Sequence, residues 1–157
     1  MSTHPATLNH AGIAALVPHE GAMCLLDAMQ SWSATEIHCL ATRHTNANHP
    51  LRCGNALLAP SAIEYAAQAM ALHGALCAAV QGKASSGFLA SARAVQLHVA
   101  RLDDIAGALH IRARQLAGDS GQAMYHFVVS DDNHRALVQG RATVVLDTPL
   151  TSPVGTP

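Results

Sequence analysis

Ser61, Glu64 and Gln68 are three and four residues apart, so a helix through them presents all three on one face. Their neighbours Ala62, Ile63, Ala66, Ala67, Ala69 and Met70 are apolar. A carboxyl group enclosed by such side chains favours its neutral, protonated form. In that form it can deliver a proton to a leaving group. The alternative reading turns Glu64 to water and the apolar residues to the core; the sequence leaves both open. Fifteen and twenty residues upstream stand His49 and His44. Imidazole titrates near neutral pH and serves as a general base. Free N–H groups of the first helical turn, near Ser61 and Ala62, can polarise a thioester carbonyl and hold a developing enolate. Base, acid and dipole together fit proton removal beside a carbonyl with loss of a β-hydroxyl.

The elements that must position these groups follow from the pattern. Pro60 fits the first position of a helix, where its missing N–H costs nothing. From there IEYAAQAMALHGALCAAV predicts one long helix, buried nearly all round, with Gly82 as its stop signal. Before it, Asn9 to Val17 reads as a short helix ended by Pro18, Met23 to Trp32 as a strand, and Glu36 to Thr42 as another. Residues 44–57 read as a long loop. After the helix come four strands, over Phe88 to Ala100, Ala108 to Leu116, Gln122 to Val129 and Leu137 to Leu146. Turns are expected at Asp103-Asp104, at GDSG (118–121) and at Asp131-Asp132-Asn133. Consecutive strands with short turns make an antiparallel sheet, and one helix against one curved sheet is an α+β layer arrangement.

Composition bounds the rest. The chain has 157 residues, half of them hydrophobic but only 3% aromatic, so the core must be packed from small side chains. Only 12% are charged, with a net charge of -1, while the 11 histidines outnumber Lys and Arg together. The polarity is too low for a disordered chain, and a near-neutral charge argues against binding to nucleic acid. No secretory signal or membrane span is legible, since Glu64, Gln68 and His73 interrupt the longest apolar stretch. A cytoplasmic location follows as an expectation. Cys24, Cys39, Cys53 and Cys77 form no CxxC pair and read as reduced thiols. His44, His49 and Cys53 have the types of zinc ligands, but their spacing is not that of a finger, and no metal is expected. His98, His110 and His126 fall on predicted strands with no collective role expected. Arg93, Arg101, Arg112, Arg114 and Arg141 read either as solvated faces or as part of a docking patch for an acidic carrier protein.

Three segments resemble one family. The opening LVPHEGAMCLLDAM is similar to the PHR-P-(F/M)-L-L-(V/L)-D-R-V opening of the FabA and FabZ type 3-hydroxyacyl-carrier-protein dehydratases. APSAIEYAAQAMALHGAL resembles their helix, P-G-V-x-x-x-E-A-x-A-Q, and FLASARAVQLHVARLDDIAGALHIRARQL resembles their strand, turn and strand. The resemblance is strongest to the divergent dehydratase-like proteins of aryl-polyene and related polyketide clusters. It implies a hot-dog fold over residues 9–147, with 1–8 and 148–157 as flexible termini. It places the family's helix carboxylate at Glu64, its glutamine at Gln68 and its catalytic histidine nearest His49, in NHPLRCGN rather than GHFP. His19 matches the structural histidine of the PHR opening. The implied function is dehydration of 3-hydroxyacyl thioesters on acyl carrier protein. His49 and Glu64 would be catalytic, Ser61, Ala62 and Gln68 would bind or orient, and no cofactor would be needed. A hot-dog thioesterase using Glu64, or a non-catalytic partner subunit, remains the alternative. Dimerisation, with itself or a second hot-dog chain, is expected from the same resemblance.

Overall fold

The computed structural model describes residues 5–17, 21–81, 87–119 and 121–146. The predicted helix stops Pro18 and Gly82, His19, Ser120 and the tail from residue 148 lie outside these residues. In chain order the elements are β1 (Leu8–Asn9), α1 (His10–Ala14), β2 (Ala28–Trp32), β3 (Glu36–Ala41), α2 (Ala62–Val80), β4 (Gly87–Leu97), β5 (Leu109–Gly118), β6 (Gln122–Ser130) and β7 (Ala136–Leu146). The strands form one antiparallel sheet in the order β1-β2-β3-β5-β6-β7-β4. The long helix α2 packs on it, as the α+β reading expects.

Alternation explains the packing. Ile37, Cys39 and Ala41 of β3, Leu109, Ile111 and Ala113 of β5, and Tyr125, Phe127 and Val129 of β6 are all buried on the inner face. They meet Tyr65, Ala66, Ala69, Met70, Leu72 and Leu76 of α2. Small helix residues let the sheet curve close around the helix. One glycine serves the same closeness on the sheet itself. A Cβ at Gly140 would stand 3.1 Å from the Val95 Cα and 3.2 Å from the Phe127 Cζ.

Several boundaries differ from expectation. β2 starts only at Ala28, because Gly21–Met23 forms a 3-10 turn and residues 24–27 belong to no strand, although Asp27 N–H donates to Leu40 O at 2.8 Å. The start of the chain is not all loose lead: Leu8 pairs with Met29, and the Pro5 carbonyl accepts the Trp32 indole N–H at 2.9 Å. The alternation expected in Val95, Leu97 and Val99 fails. β4 has register shifts on both sides of Ser91–Arg93, Ala94 sits at φ 51°, Leu97 is 48% exposed, and Val99 lies past the strand end. A bulge adds a residue to one strand and turns the following side chains to the other face. His98 likewise falls past the strand end.

Candidate active site

Pro60 does begin the helical segment, inside a 3-10 turn over Ala59–Ser61 that runs into α2. That turn is stapled to the loop after β4. Leu102 N–H donates to Leu57 O at 2.8 Å, Ala59 N–H to Ala100 O at 3.0 Å, and Leu57 N–H to the Asp103 carboxylate at 2.9 Å. Arg101 pairs with Asp103 and holds its carboxyl well below the usual carboxylate range.

The 3-10 turn engages the amides at the helix start. Ser61 N–H donates to Leu58 O at 3.0 Å, and Ala62 N–H reaches the Ala59 and Pro60 carbonyls. With Ala59 engaged and Pro60 lacking an N–H, the helix start offers no free donor to an enolate at Ser61 or Ala62. The tighter i to i+3 bonding of a 3-10 turn satisfies the groups that an abrupt α-helix would leave open. Ala62 is fully buried.

Glu64 lies in the first turn of α2 and is half-buried, so neither extreme of the sequence reading holds. Its carboxylate accepts from Gln68 Nε2 at 3.2 Å. Gln68 is fully buried and makes three bonds: Nε2 also donates to Met23 O at 2.7 Å, and Oε1 accepts from Leu25 N–H at 2.8 Å. A side chain locked at both ends of its amide cannot turn away, so it fixes the carboxylate one helical turn back. Gln68 therefore couples Glu64 to the chain segment before β2.

His49 is buried, on the loop before the helix. Its Nδ1 accepts the Leu51 N–H at 3.1 Å, which requires a lone pair on that nitrogen. In the neutral ring the proton then sits on Nε2, which lies 2.7 Å from the Tyr65 hydroxyl and donates to it. Burial lowers the His49 pKa, helped by Arg43, His44 and Arg52, so the neutral ring is the favoured form. Both nitrogens are engaged. The expectation of an imidazole with a lone pair turned to substrate is not met in this arrangement. His44 does not join it: it is buried and bonds the Ile105 carbonyl at 2.9 Å. Among the described residues no three metal-ligating side chains converge, and Cys53 is exposed.

Tyr65 was not singled out by the sequence reading. A signal existed: aromatic residues are so few that a tyrosine beside the helix glutamate stands out. The other tyrosine has the same kind of partner. Tyr125 lies 2.7 Å from Nδ1 of the fully buried His73, whose Nε2 donates to Ser33 O at 2.9 Å. Burial pushes both tyrosine hydroxyls above their ordinary pKa, so both stay protonated; Tyr125 donates to His73 Nδ1, whereas Tyr65 accepts from His49 Nε2.

Known proteins bear on this geometry. A family model described as ApeP-like, ApeP dehydratase, matches residues 11–152. No curated protein matches the chain. Among solved structures, the dehydratase heterocomplex ApeI:P from Xenorhabdus doucetiae is similar at 25% identity and a TM-score of 0.77, covering 87% of this chain and 91% of that one. A thioesterase from Haemophilus influenzae is similar at 11% identity and a TM-score of 0.65, over 93% and 95% of the two chains. The PaaI protein of E. coli follows at 10% identity and a TM-score of 0.58, over 76% and 78%. The last two share the fold. The helix wrapped by the curved sheet is the hot-dog fold.

Proposed function

Because the chain belongs to the ApeP-like dehydratase family, we propose that it is one subunit of a two-chain hot-dog dehydratase. Its substrate is a 3-hydroxyacyl thioester carried on acyl carrier protein, and its product the trans-2-enoyl thioester. A base removes the C2 proton. The electron pair forms the C2–C3 double bond, and the C3 hydroxyl leaves as water with the proton of Glu64. That proton returns to the carboxylate from the protonated base or from solvent. The chemistry calls for no metal or redox cofactor.

One observation carries this reading: the three-bond hold of Gln68 on Glu64, Met23 and Leu25. It keeps a carboxyl group in one orientation on an otherwise apolar helix, as an acid that must meet one leaving oxygen requires. The base is assigned to the second chain, because both ring nitrogens of His49 are engaged within this one. Two further points favour a second chain. The similar dehydratase is a heterocomplex. β4, 11 residues long, leaves its outer edge unpaired among the described residues, which suits sheet-to-sheet pairing. No described helix is long and apolar enough to cross a membrane, and we place the protein in the cytoplasm with its carrier.

The test follows the mass of a 3-hydroxyacyl carrier-protein thioester. Loss of one water in the presence of a second hot-dog chain supports the reading. Release of free thiol supports hydrolysis by Glu64 instead. Dehydration by this chain alone, abolished in His49→Ala, returns the base to His49.

A further inference from the structure

A second constellation lies on the outer face of the sheet, away from α2. A cleft of about 480 Å³ is lined there by Trp32, Glu36, His38, Arg112, Arg114 and His126. The strand register explains the gathering. Ser31, His38, Arg112 and Val128 stand opposite one another across β2, β3, β5 and β6. One row along, Glu36, Arg114, His126 and Arg141 do the same across β3, β5, β6 and β7. Their neighbours Ile37, Ala113 and Phe127 point into the core, so all of these face outward.

Two features of the cleft call for a ligand. First, it holds two exposed guanidinium groups and one carboxylate, and neither the Arg112 nor the Arg114 guanidinium has an ion-pair or hydrogen-bond partner among the described residues. Arg112 and Arg114 are two apart on β5 and share its outer face, so one anion between them would meet both guanidinium groups. Second, His38 is oriented by a relay. With the His110 ring neutral, Asp132 Oδ1 accepts from its Nε2 at 2.7 Å and its Nδ1 is left as an acceptor. That nitrogen lies 2.9 Å from His38 Nε2, which therefore carries the proton and donates. The rings stack with centroids 5.2 Å apart. Asp132 is itself fixed by the Ala108 N–H at 3.2 Å. The relay leaves the lone pair of His38 on Nδ1. Burial, then Arg112, His110 and His134, lower the His38 pKa to about 4, so the ring is neutral at physiological pH.

We propose that this cleft binds a small phosphorylated molecule that also carries a hydroxyl or amide donor. The phosphate sits between Arg112 and Arg114, and the donor bonds His38 Nδ1. Glu36 and the donor-poor wall at Val128 disfavour a second anionic group, which limits the ligand to one phosphate. The site is separate from Glu64 and stands whatever reaction occurs there.

Trp32 is the single tryptophan, so intrinsic fluorescence reports on the cleft directly. The probes are inorganic phosphate and glycerol 3-phosphate, with glycerol and sodium chloride at matched ionic strength as controls. Both phosphates are expected to give a saturable change that neither control gives, with glycerol 3-phosphate about tenfold tighter. Arg112→Gln/Arg114→Gln weakens both by about tenfold or more. His38→Phe, which keeps a stacked ring, removes the preference for glycerol 3-phosphate and leaves phosphate binding. Unchanged circular dichroism shows that the variants fold. Absence of saturation, an equal response to sodium chloride, or a response retained in the arginine double variant overturns the proposal. So does an arginine double variant that dissociates an assembly while the parent shows no phosphate response, since the face is then an interface between copies.

Discussion

The Nε2 of His49 and the hydroxyl of Tyr65 lie 2.7 Å apart, with His49 7% and Tyr65 1% exposed. The Leu51 N–H on Nδ1 fixes the tautomer, so the histidine is the donor in this pair. The loop before α2 is thereby tied to the helix one residue after Glu64.

Removing one partner of this bond leaves a buried polar group unsatisfied. Tyr65→Phe should destabilise the fold by about 1–3 kcal/mol, read as a lower midpoint of denaturant unfolding with an unchanged slope. Dehydration by the two-chain enzyme should survive at temperatures where the variant remains folded.

Glu64→Gln removes the acid while keeping a group that Gln68 can contact. Turnover should fall about 10²- to 10⁴-fold, with little change in thermal midpoint. Gln68→Ala differs in kind. It strips Leu25 N–H and Met23 O of their partner, so stability should drop by about 2 kcal/mol or more alongside turnover. The pair separates proton delivery from positioning.

Acid should weaken the fold before it protonates most carboxylates. His38, His49 and His73 all have folded pKa values lowered by burial, His38 to about 4. Above about pH 6.5 they are neutral in both states and contribute no pH dependence. As the pH falls below that, the unfolded chain takes up protons that the folded chain refuses, so stability declines. For His38 the decline ends near pH 4, where the folded ring protonates too. Each such histidine contributes up to about 1.4 kcal/mol per pH unit. Thermal midpoints between pH 7.5 and 4.5 check this, and a flat profile contradicts it.

Gly140→Ala places a methyl group 3.1 Å from Val95 and 3.2 Å from the Phe127 ring, where the β4 bulge crosses β7. Backbone on one side cannot yield cheaply, so the variant should lose about 1–3 kcal/mol in chemical denaturation.

The fold was legible in the sequence because α2 and the later strands declare themselves. A run of alanine after Pro60 and clean alternation in β5 and β6 leave little freedom. The misread stretches are those where backbone geometry breaks the period. The β4 bulge at Ala94 and the 3-10 turns at Gly21 and Ala59 carry no pattern of apolar residues. The site was legible in the same unequal way. Glu64 and Gln68 are four apart on one helix, so spacing alone predicts their contact, and the contact is present. His49 lies on a loop, where no periodicity says which way a ring turns. Its engagement with Tyr65 depends on burial and on the Leu51 amide. The pairing of His38 with His110 needed the register of two strands 72 residues apart.

The central claim is that this chain supplies the acid, Glu64, to a dehydratase completed by a second hot-dog chain. Mass analysis of a 3-hydroxyacyl carrier-protein thioester, incubated with this chain and a second dehydratase-type hot-dog chain, tests it most directly. Loss of one water with the pair, its absence with either chain alone, and its loss in Glu64→Gln but not His49→Ala are the predicted results. Undiminished water loss by the pair carrying Glu64→Gln would contradict the account.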